Sequence, residues 1–272
     1  MKGKFRCVGM SDTGRIREHN EDTIGTDADI GLVVLADGMG GYKAGEVASG
    51  IAVRTVMTLL KDAVEREDLS QRDPESGLSR SGILLRDAIH RANKVIYQTA
   101  KTQANCDGMG TTVVAGLFFD NKLTVAHVGD SRLYCHREGE LRQVTQDHSL
   151  LQELVSRGFY TPAEAQRAAS KNYVTRALGV EPTVEVDVTE VPVLKDDLYL
   201  LCSDGLSDMV EDEDIHLTIS TFGGNLETLA RQLVLLSNDN GGRDNVSIVA
   251  VRVLDSFPAR HGLVDRLLAR FA

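Results

Sequence analysis

Residues 112–144 read TVVAGLFFDNKLTVAHVGDSRLYCHREGELRQV, and this stretch decides the class of fold. It holds four short apolar segments that are rich in β-branched and aromatic residues, as strands are. Asp120 with Asn121, and Glu138 with Gly139, supply turn residues between neighbouring segments. The connections are far shorter than the helical crossover that parallel strands need. The stretch therefore predicts an antiparallel meander of four strands, at 112–119, 122–128, 132–136 and 141–144.

The segments on either side predict further strands and several amphipathic helices. Apolar runs or alternation predict strands at 5–10, 31–36, 183–191, 197–202 and 246–254. Apolar residues at helical spacing predict helices at 45–61, 83–100, 150–155, 213–220 and 226–238. Because strands occur in runs and the helices are segregated from them, we expect an α+β fold in which helices cover a central β-sandwich.

Two segments are expected to stand apart from this sandwich. Thr161, Pro162 and Glu164 are the residue types of a helix start with a capping box, so we expect an ordered insertion with its own helix at about 157–180. Residues 255–272 carry apolar side chains at helical spacing and predict an amphipathic tail after a domain of residues 1–254. The tail is interpreted either as a docking helix or as a helix packed on its own domain.

Composition excludes several classes of function. The chain has 272 residues, which one domain can accommodate, and its net charge of -10 makes it a poor ligand for nucleic acid or an anionic membrane. No apolar run approaches the length of a membrane span. The four cysteines form no CxxC pair, and the first residues, MKGKFR, do not resemble a secretory signal. We therefore expect a cytoplasmic protein.

Four aspartates share one setting, at the ends of core strands and close to glycine. Asp37, Asp130 and Asp204 follow apolar segments, and Asp244 lies between a glycine pair and the last strand. One such aspartate is typical of a turn. Four of them converging on one rim of a sandwich would repel one another unless a cation neutralised them. Hard divalent cations prefer oxygen ligands, and the seven histidines are scattered, so the pattern favours Mg²⁺ or Mn²⁺ over zinc.

A second charged cluster, RIREHNED, occupies residues 15–22. Alone it is typical of a solvated loop, but arginine is suited to bidentate recognition of phosphate. Beside a metal rim the same cluster would supply a phosphate clamp and further acidic groups. The glycine-rich stretch 38–45 fits neither the P-loop pattern nor the dinucleotide-binding pattern.

Taken in order, seven segments resemble the metal-dependent Ser/Thr protein phosphatase family, the type 2C group, in its bacterial form. They are SDTGRIREHNED (11–22), VVLADGMGGYKAGEVAS (33–49), GMGTT (108–112), VGDSRLY (128–134), QDHSL (146–150), LLCSDGLSD (200–208) and GGRDNVS (241–247). Each is weak alone, but seven in order with compatible spacing are highly specific. The resemblance covers about residues 5 to 254. It implies two antiparallel sheets flanked by helices in α-β-β-α layers, with 157–180 as the flap.

The resemblance also implies a set of metal ligands and a phosphate-binding residue. Asp37 would bridge two Mn²⁺ or Mg²⁺ ions, and Arg17 falls at the phosphate-binding arginine. The remaining implied ligands are Asp204 and Asp244 at one ion, Gly38 through its carbonyl with Glu21 and Asp22 in or near the shell of the other, and Asp130 at a weaker third ion. Met39 stands where many animal and plant members carry histidine, which leaves the proton donor to the leaving group unassigned.

The function implied is hydrolysis of phosphoserine and phosphothreonine in proteins by a hydroxide that bridges the two metals. Phosphorylated proteins would be the substrates and a cognate Ser/Thr kinase the opposing partner, and we expect a monomer that binds no nucleic acid. Two alternatives remain open: a hydrolase for small phosphate esters, and a phosphatase-like binding module without catalysis. The four intact aspartates disfavour the binding module.

Overall fold

A computed structural model describes residues 3–41, 44–69, 71–161, 164 and 173–258. The strands are β1 (Phe5–Asp12), β2 (Asp22–Asp27), β3 (Leu32–Met39), β4 (Gly110–Thr111), β5 (Val113–Phe119), β6 (Lys122–Val128), β7 (Arg132–Arg137), β8 (Glu140–Gln143), β9 (Asp187–Pro192), β10 (Leu198–Cys202) and β11 (Val246–Val253). The helices are α1 (Ala44–Val64), α2 (Arg80–Thr102), α3 (Leu150–Ser156), α4 (Asp204–Ser207), α5 (Asp212–Phe222) and α6 (Leu226–Asp239). Within the described residues, no helix combines the length and apolar character needed to cross a membrane.

The strands form two antiparallel sheets, which confirms the predicted α+β sandwich. One sheet has the order β1-β11-β10-β7-β8, and the other has the order β2-β3-β5-β6-β9 with β4 beside β3. Helices α1 and α2 pack on the second sheet, and α5 and α6 pack on the first. A third apolar layer fills the space between the sheets.

The burial of β3 explains why its sequence is an almost unbroken apolar run. Val33 and Leu35 belong to the layer between the sheets, whereas Leu32, Val34 and Ala36 belong to the layer under α1 and α2. Side chains of a strand alternate between its two faces, so a strand covered on both faces needs apolar residues at every position. The run ends at Asp37 because the strand reaches the edge of the sandwich there.

The stretch 112–144 is not the single meander that its sequence predicts. Strand β5 pairs with β6 in one sheet, while β7 pairs with β8 in the other. Both predicted turns are present, and Asp120, Asn121 and Glu138 have the positive φ angles that tight hairpin turns require. The prediction of one meander was wrong because alternation specifies which residues are buried but not which sheet a hairpin joins.

The chain crosses between the sheets at Gly129, the residue before Asp130. Gly129 has φ of 107°, and a Cβ there would lie 2.6 Å from Cβ of Thr112. Only glycine combines that backbone conformation with so close an approach. The crossing thus places Asp130 at the boundary between the two sheets.

Parts of the predicted insertion and tail lie outside the described residues, namely 162–163, 165–172 and 259–272. At the start of the insertion the capping box is confirmed. The backbone N–H of Thr161 donates to the Glu164 carboxylate at 2.8 Å, and the Glu164 N–H donates back to the Thr161 hydroxyl at 3.3 Å. Within 255–258, Phe257 is buried, and its ring packs edge-on against Phe5 at a centroid distance of 5.5 Å.

Helix α1 offers a matched test of how strongly the helical layer stabilises the sandwich. Leu60 is 1% exposed in the core, whereas the preceding Leu59 is 42% exposed. We expect Leu60→Ala to lower the free energy of unfolding by about 2–5 kcal/mol, because it leaves a cavity in the core. We expect Leu59→Ala to change it by less than about 0.5 kcal/mol, as is usual at the surface. Urea denaturation measures both, and equal effects would contradict this packing.

Candidate metal and phosphate site

One rim of the sandwich gathers carboxylates from both sheets. Asp22 at the start of β2 lies opposite Asp37 near the end of β3. Asp204 begins α4 directly after β10, and Asp244 lies two residues before β11. Asp130 lies in the crossing between the sheets. All four of the other carboxylates act electrostatically on Asp37, so the structure brings together the aspartates that the sequence singled out.

The electrostatics of this rim disfavour ionisation of every aspartate at once. Burial raises the pKa of Asp37 well above its ordinary value, and the charges of the neighbouring aspartates raise it further. Burial, with Asp130, Asp244 and Asp208 nearby, likewise raises the pKa of Asp204. For Asp22 and Asp130, burial is again the first cause and raises the pKa to about 6. A positive charge placed among these groups would lower all four pKa values and ionise them.

Two oxygen atoms of the rim are buried and lack a hydrogen-bond partner among the described residues. They are Oδ1 of Asp22 and Oδ1 of Asp204. A buried carboxylate oxygen without a donor is costly unless a cation satisfies it. The clustered side chains offer oxygen atoms alone, which suits Mg²⁺ or Mn²⁺ rather than zinc. The residues present therefore fit a divalent metal centre.

Gly38 lies where three backbone segments approach one another closely. Its N–H donates to the backbone carbonyl of Glu21 at 3.2 Å. A Cβ on Gly38 would collide with the carbonyl oxygen of Gly45 in the first turn of α1. The Glu21 carboxylate hydrogen-bonds to the Gly45 N–H, at the helix end where a negative charge is stabilised. The side chain of Glu21 thus holds α1 against the rim.

Arg17 lies at the edge of the rim, beside Asp244. Its Nη2 donates to Oδ2 of Asp244 at 2.7 Å, and half of its side chain is exposed. One side of the guanidinium is held by Asp244, while its other N–H groups can reach a ligand in solvent. A fork of this kind matches two oxygens of a phosphoryl group.

Sequence reasoning missed the residue that holds the Arg17 loop in place. Asn245 is buried, and its side-chain oxygen accepts from the Glu21 N–H at 2.8 Å. Its amide nitrogen donates to the backbone carbonyls of Thr13 and His19 at 3.0 and 2.9 Å. The position next to Asp244 was the available signal, but nothing in the sequence indicates that this amide bonds to residues more than 200 positions away.

A groove of about 340 Å³ opens beside Asp130 and Asp204. Asp208 also lines it, one helical turn after Asp204, and its charge raises the pKa of both aspartates. Asp208 was not predicted as a site residue, although its spacing of four residues from Asp204 places the two on one helical face. Across the groove, Arg132 donates to Asp147 at 2.8 Å. Carboxylates far outnumber this arginine in the lining, so the groove beside the rim is acidic as well as open.

Comparisons with known proteins agree with this geometry. A family model described as Protein phosphatase 2C matches residues 15–237. The serine/threonine phosphatase stp of Listeria welshimeri is 38% identical over 254 residues, which cover 92% of this chain and 95% of that protein. The serine/threonine protein phosphatase PstP of Mycobacterium tuberculosis is 37% identical over 92% of this chain and 45% of its own length.

Solved structures of the same group have the same fold. The crystal structure of the Mycobacterium tuberculosis phosphatase PstP matches with a TM-score of 0.82 at 36% identity, covering 92% of this chain and 99% of that one. A PstP catalytic domain described in complex with two manganese ions matches with a TM-score of 0.79 at 37% identity, with the same coverage. Family model, sequence relatives and fold all agree, so this chain belongs to the protein phosphatase 2C family and is a serine/threonine phosphatase, a hydrolase.

Proposed function

We propose that this chain removes phosphate from phosphoserine and phosphothreonine in proteins, at a centre of two Mn²⁺ or Mg²⁺ ions held by the aspartate rim. The observation that carries the proposal is the meeting of five carboxylates beside an exposed arginine. Burial raises the pKa of four of them, and two of their oxygens have no donor among the described residues. The PstP domain described with two manganese ions supports the number and kind of ions.

The proposed ligand set follows the positions of the side chains on the rim. Asp37, at the centre of the cluster, would contact both ions. Asp204 and Asp244 would complete one ion, Asp22 and the carbonyl of Gly38 would serve the other, with Glu21 near its shell, and Asp130 would hold a weaker third ion. The structure supports Glu21 in that outer place, because its carboxylate already bonds to the start of α1. When bound, two such ions supply a water that ionises near neutral pH and positive charge for the phosphoryl oxygens.

Side chains of the protein would orient the phosphoryl group of the substrate. Arg17 would bind the phosphoryl oxygens with the N–H groups that Asp244 leaves unused, and it would stabilise the charge that they carry in the transition state. Asn245 would hold Arg17 in position by hydrogen-bonding to the backbone on both sides of it. Met39 is 36% exposed beside Gly38 and cannot donate a proton, so it would not protonate the departing seryl oxygen.

We propose that the protein acts in the cytoplasm. The four cysteines are free thiols, which suits the reducing cytoplasm. Substrates would be proteins that a cognate Ser/Thr kinase phosphorylates, and the chain would act as a monomer. Support for protein substrates comes from the relatives named serine/threonine phosphatases and from the open groove beside the rim, which leaves room for a peptide chain.

Hydrolysis of small phosphate esters is the alternative within the same chemistry. Turnover on phosphoserine peptides and on sugar phosphates should be compared at equal Mn²⁺ concentration. We expect kcat/KM to favour the peptides, because the groove adds contacts that a sugar phosphate cannot make. A preference for the sugar phosphates would sink the proposal of protein substrates.

Removal of metal tests the centre itself. We expect EDTA to abolish turnover of a phosphoserine peptide and added Mn²⁺ to restore it. Asp37→Asn should abolish turnover even at high Mn²⁺, because it removes the charge that both ions would share. Asp29→Asn, at an exposed turn, is the control and should leave turnover unchanged. Full turnover after stringent metal removal, or in Asp37→Asn, would contradict the metal centre.

Replacement of Arg17 tests the phosphate clamp. Loss of a charge-assisted bidentate contact should raise the KM for a phosphoserine peptide and the inhibition constant of inorganic phosphate by roughly 10-fold or more, with a smaller fall in kcat. Arg15→Ala removes an exposed arginine two residues away and is the matched control. The reverse pattern, a normal KM in Arg17→Ala and a raised one in Arg15→Ala, would assign the clamp to Arg15.

A further inference from the structure

Behind the rim lies a polar cluster, built around two buried histidines, that the proposed chemistry does not use. His127 near the end of β6 and His148 before α3 are each 5% exposed, and their rings stack with centroids 4.7 Å apart. Asp187 at the start of β9 and Arg176, in the described C-terminal part of the insertion, complete the cluster. Buried imidazoles need hydrogen-bond partners, so the contacts of His148 indicate what its ring does.

His148 holds both polar groups of the Gly129 backbone. The Gly129 N–H donates to Nδ1 of His148 at 3.1 Å, and the His148 backbone N–H donates to the Gly129 carbonyl at 3.0 Å. Because Nδ1 accepts a hydrogen bond, it carries no proton, and the proton of the neutral ring is on Nε2. Burial lowers the pKa of His148, His127 and Arg176 lower it further, and Asp187 opposes them, so the net effect favours the neutral ring.

Asp187 faces the far nitrogen of the ring, and Arg176 anchors Asp187. Nε2 of His148 lies 3.5 Å from Oδ2 of Asp187, and Nη1 of Arg176 donates to the other carboxylate oxygen at 2.9 Å. Nη1 also lies 3.3 Å from Nε2. Both nitrogens are donors, so the guanidinium and the imidazole share one carboxylate. The orientation of an imidazole is commonly set by a hydrogen bond at its far nitrogen.

The same side chains could form a metal site, but the geometry disfavours it. Ligand atoms of His127, His148 and Asp187 lie within 4.8 Å of one another. However, Nδ1 of His148 is occupied by the Gly129 N–H, and Nε2 of His127 lies 2.8 Å from the carbonyl of Gln146. The guanidinium of Arg176 already provides the positive charge beside Asp187. A cation added there would meet that guanidinium.

Gly129 matters because it precedes Asp130 in the crossing between the sheets. The other side of this crossing is held by Thr112, whose hydroxyl hydrogen-bonds to the Ser131 hydroxyl at 2.6 Å. Thr112 in turn bonds to both backbone polar groups of Asp37, through its N–H at 2.8 Å and its hydroxyl at 3.1 Å. The position of Asp130 relative to Asp37 is thus set from one side by Thr112 and from the other by His148.

We propose that His148 is a positioning residue, which fixes Asp130 for the proposed third metal ion by binding both polar groups of the Gly129 backbone, while Asp187, anchored by Arg176, holds the imidazole with Nδ1 facing the Gly129 N–H. The inference rests on the proposed function, since Asp130 matters here as a metal ligand. It also links the rim to the insertion, because the Thr175 N–H, next to Arg176, donates to the carbonyl of His148 at 2.8 Å.

The test compares replacements that keep different nitrogens of the ring. The asparagine amide oxygen falls where Nδ1 lies, whereas glutamine reaches the position of Nε2 and leaves Gly129 without an acceptor. Titration with Mn²⁺ by calorimetry should give His148→Asn a third-ion affinity close to that of the native protein. His148→Gln should lose roughly 10–100-fold, as is typical when a residue that orients a ligand is lost. Asp130→Ala sets the scale of full loss, and the two tighter ions should bind normally in all variants.

A second pair of variants guards against failure of His148→Gln to fold. Asp187→Asn removes the carboxylate that holds the ring and should weaken the third ion. Glu185→Gln removes a more exposed acidic neighbour of Arg176, 3.7 Å away, and should not weaken it. Melting temperatures of all variants show whether an effect on the third ion is separate from an effect on stability.

Several results would overturn the proposal. Equal third-ion affinities in His148→Asn and His148→Gln would show that Nδ1 has no special role. A native protein that binds two ions and no third would remove the task assigned to His148, while leaving a two-metal phosphatase intact. Stoichiometric zinc that is lost in Asp187→Asn would assign the cluster to a metal site. Native protein without metal-dependent turnover of phosphopeptides would instead refute the proposed function.

Discussion

Mutual repulsion among buried carboxylates is the constraint on which this rim depends. Asp22 and Asp37 come from one sheet, Asp204 and Asp244 flank strands of the other, and Asp130 lies between the sheets. Burial and proximity raise the pKa of four of them, so full ionisation of the cluster is disfavoured unless positive charge lies among them. The apolar layer between the sheets supplies the free energy that holds the strand ends together against this repulsion.

Because the rim spans both sheets, it exists only when the sandwich is assembled. One hydrogen bond joins the two sheets directly at the rim: the hydroxyl of Ser203, after β10, donates to Oδ2 of Asp22 in β2 at 2.8 Å. Other uncharged residues fix the loops that carry the charged ones. Asn245 holds the Arg17 loop, Thr112 holds Asp37, and His148 holds the residue before Asp130. The arrangement of the rim therefore depends on uncharged residues behind it as well as on the aspartates themselves.

Much of the fold could be predicted from local patterns, because burial on one or two faces leaves a period in the sequence. The boundaries of β6 and the position of β3 were predicted from such periods. Strand β2 was missed because its sequence, DTIGTD, is half buried and mostly polar. The division of 112–144 between two sheets was also missed, since it depends on the backbone of Gly129 rather than on any period.

The pattern of charged residues in the sequence predicted part of the candidate site. Aspartates beside glycine at strand ends indicated where carboxylates would meet, and the family resemblance supplied roles for them. The contacts of single atoms were not predictable. Glu21 bonds to the start of α1, and His148 accepts from Gly129, because packing brings these partners together, and no local sequence pattern indicates either contact. Such contacts decide how an aspartate is aimed, and only the folded chain reveals them.

Anomalous diffraction from crystals soaked in Mn²⁺ tests the central claim most directly, because it locates each ion among the side chains. Two strong peaks should flank Asp37, about 3.5–4 Å apart as in other two-metal sites, with a weaker third peak at Asp130. A rim without peaks, or a strongest peak between His127, His148 and Asp187, would contradict the account.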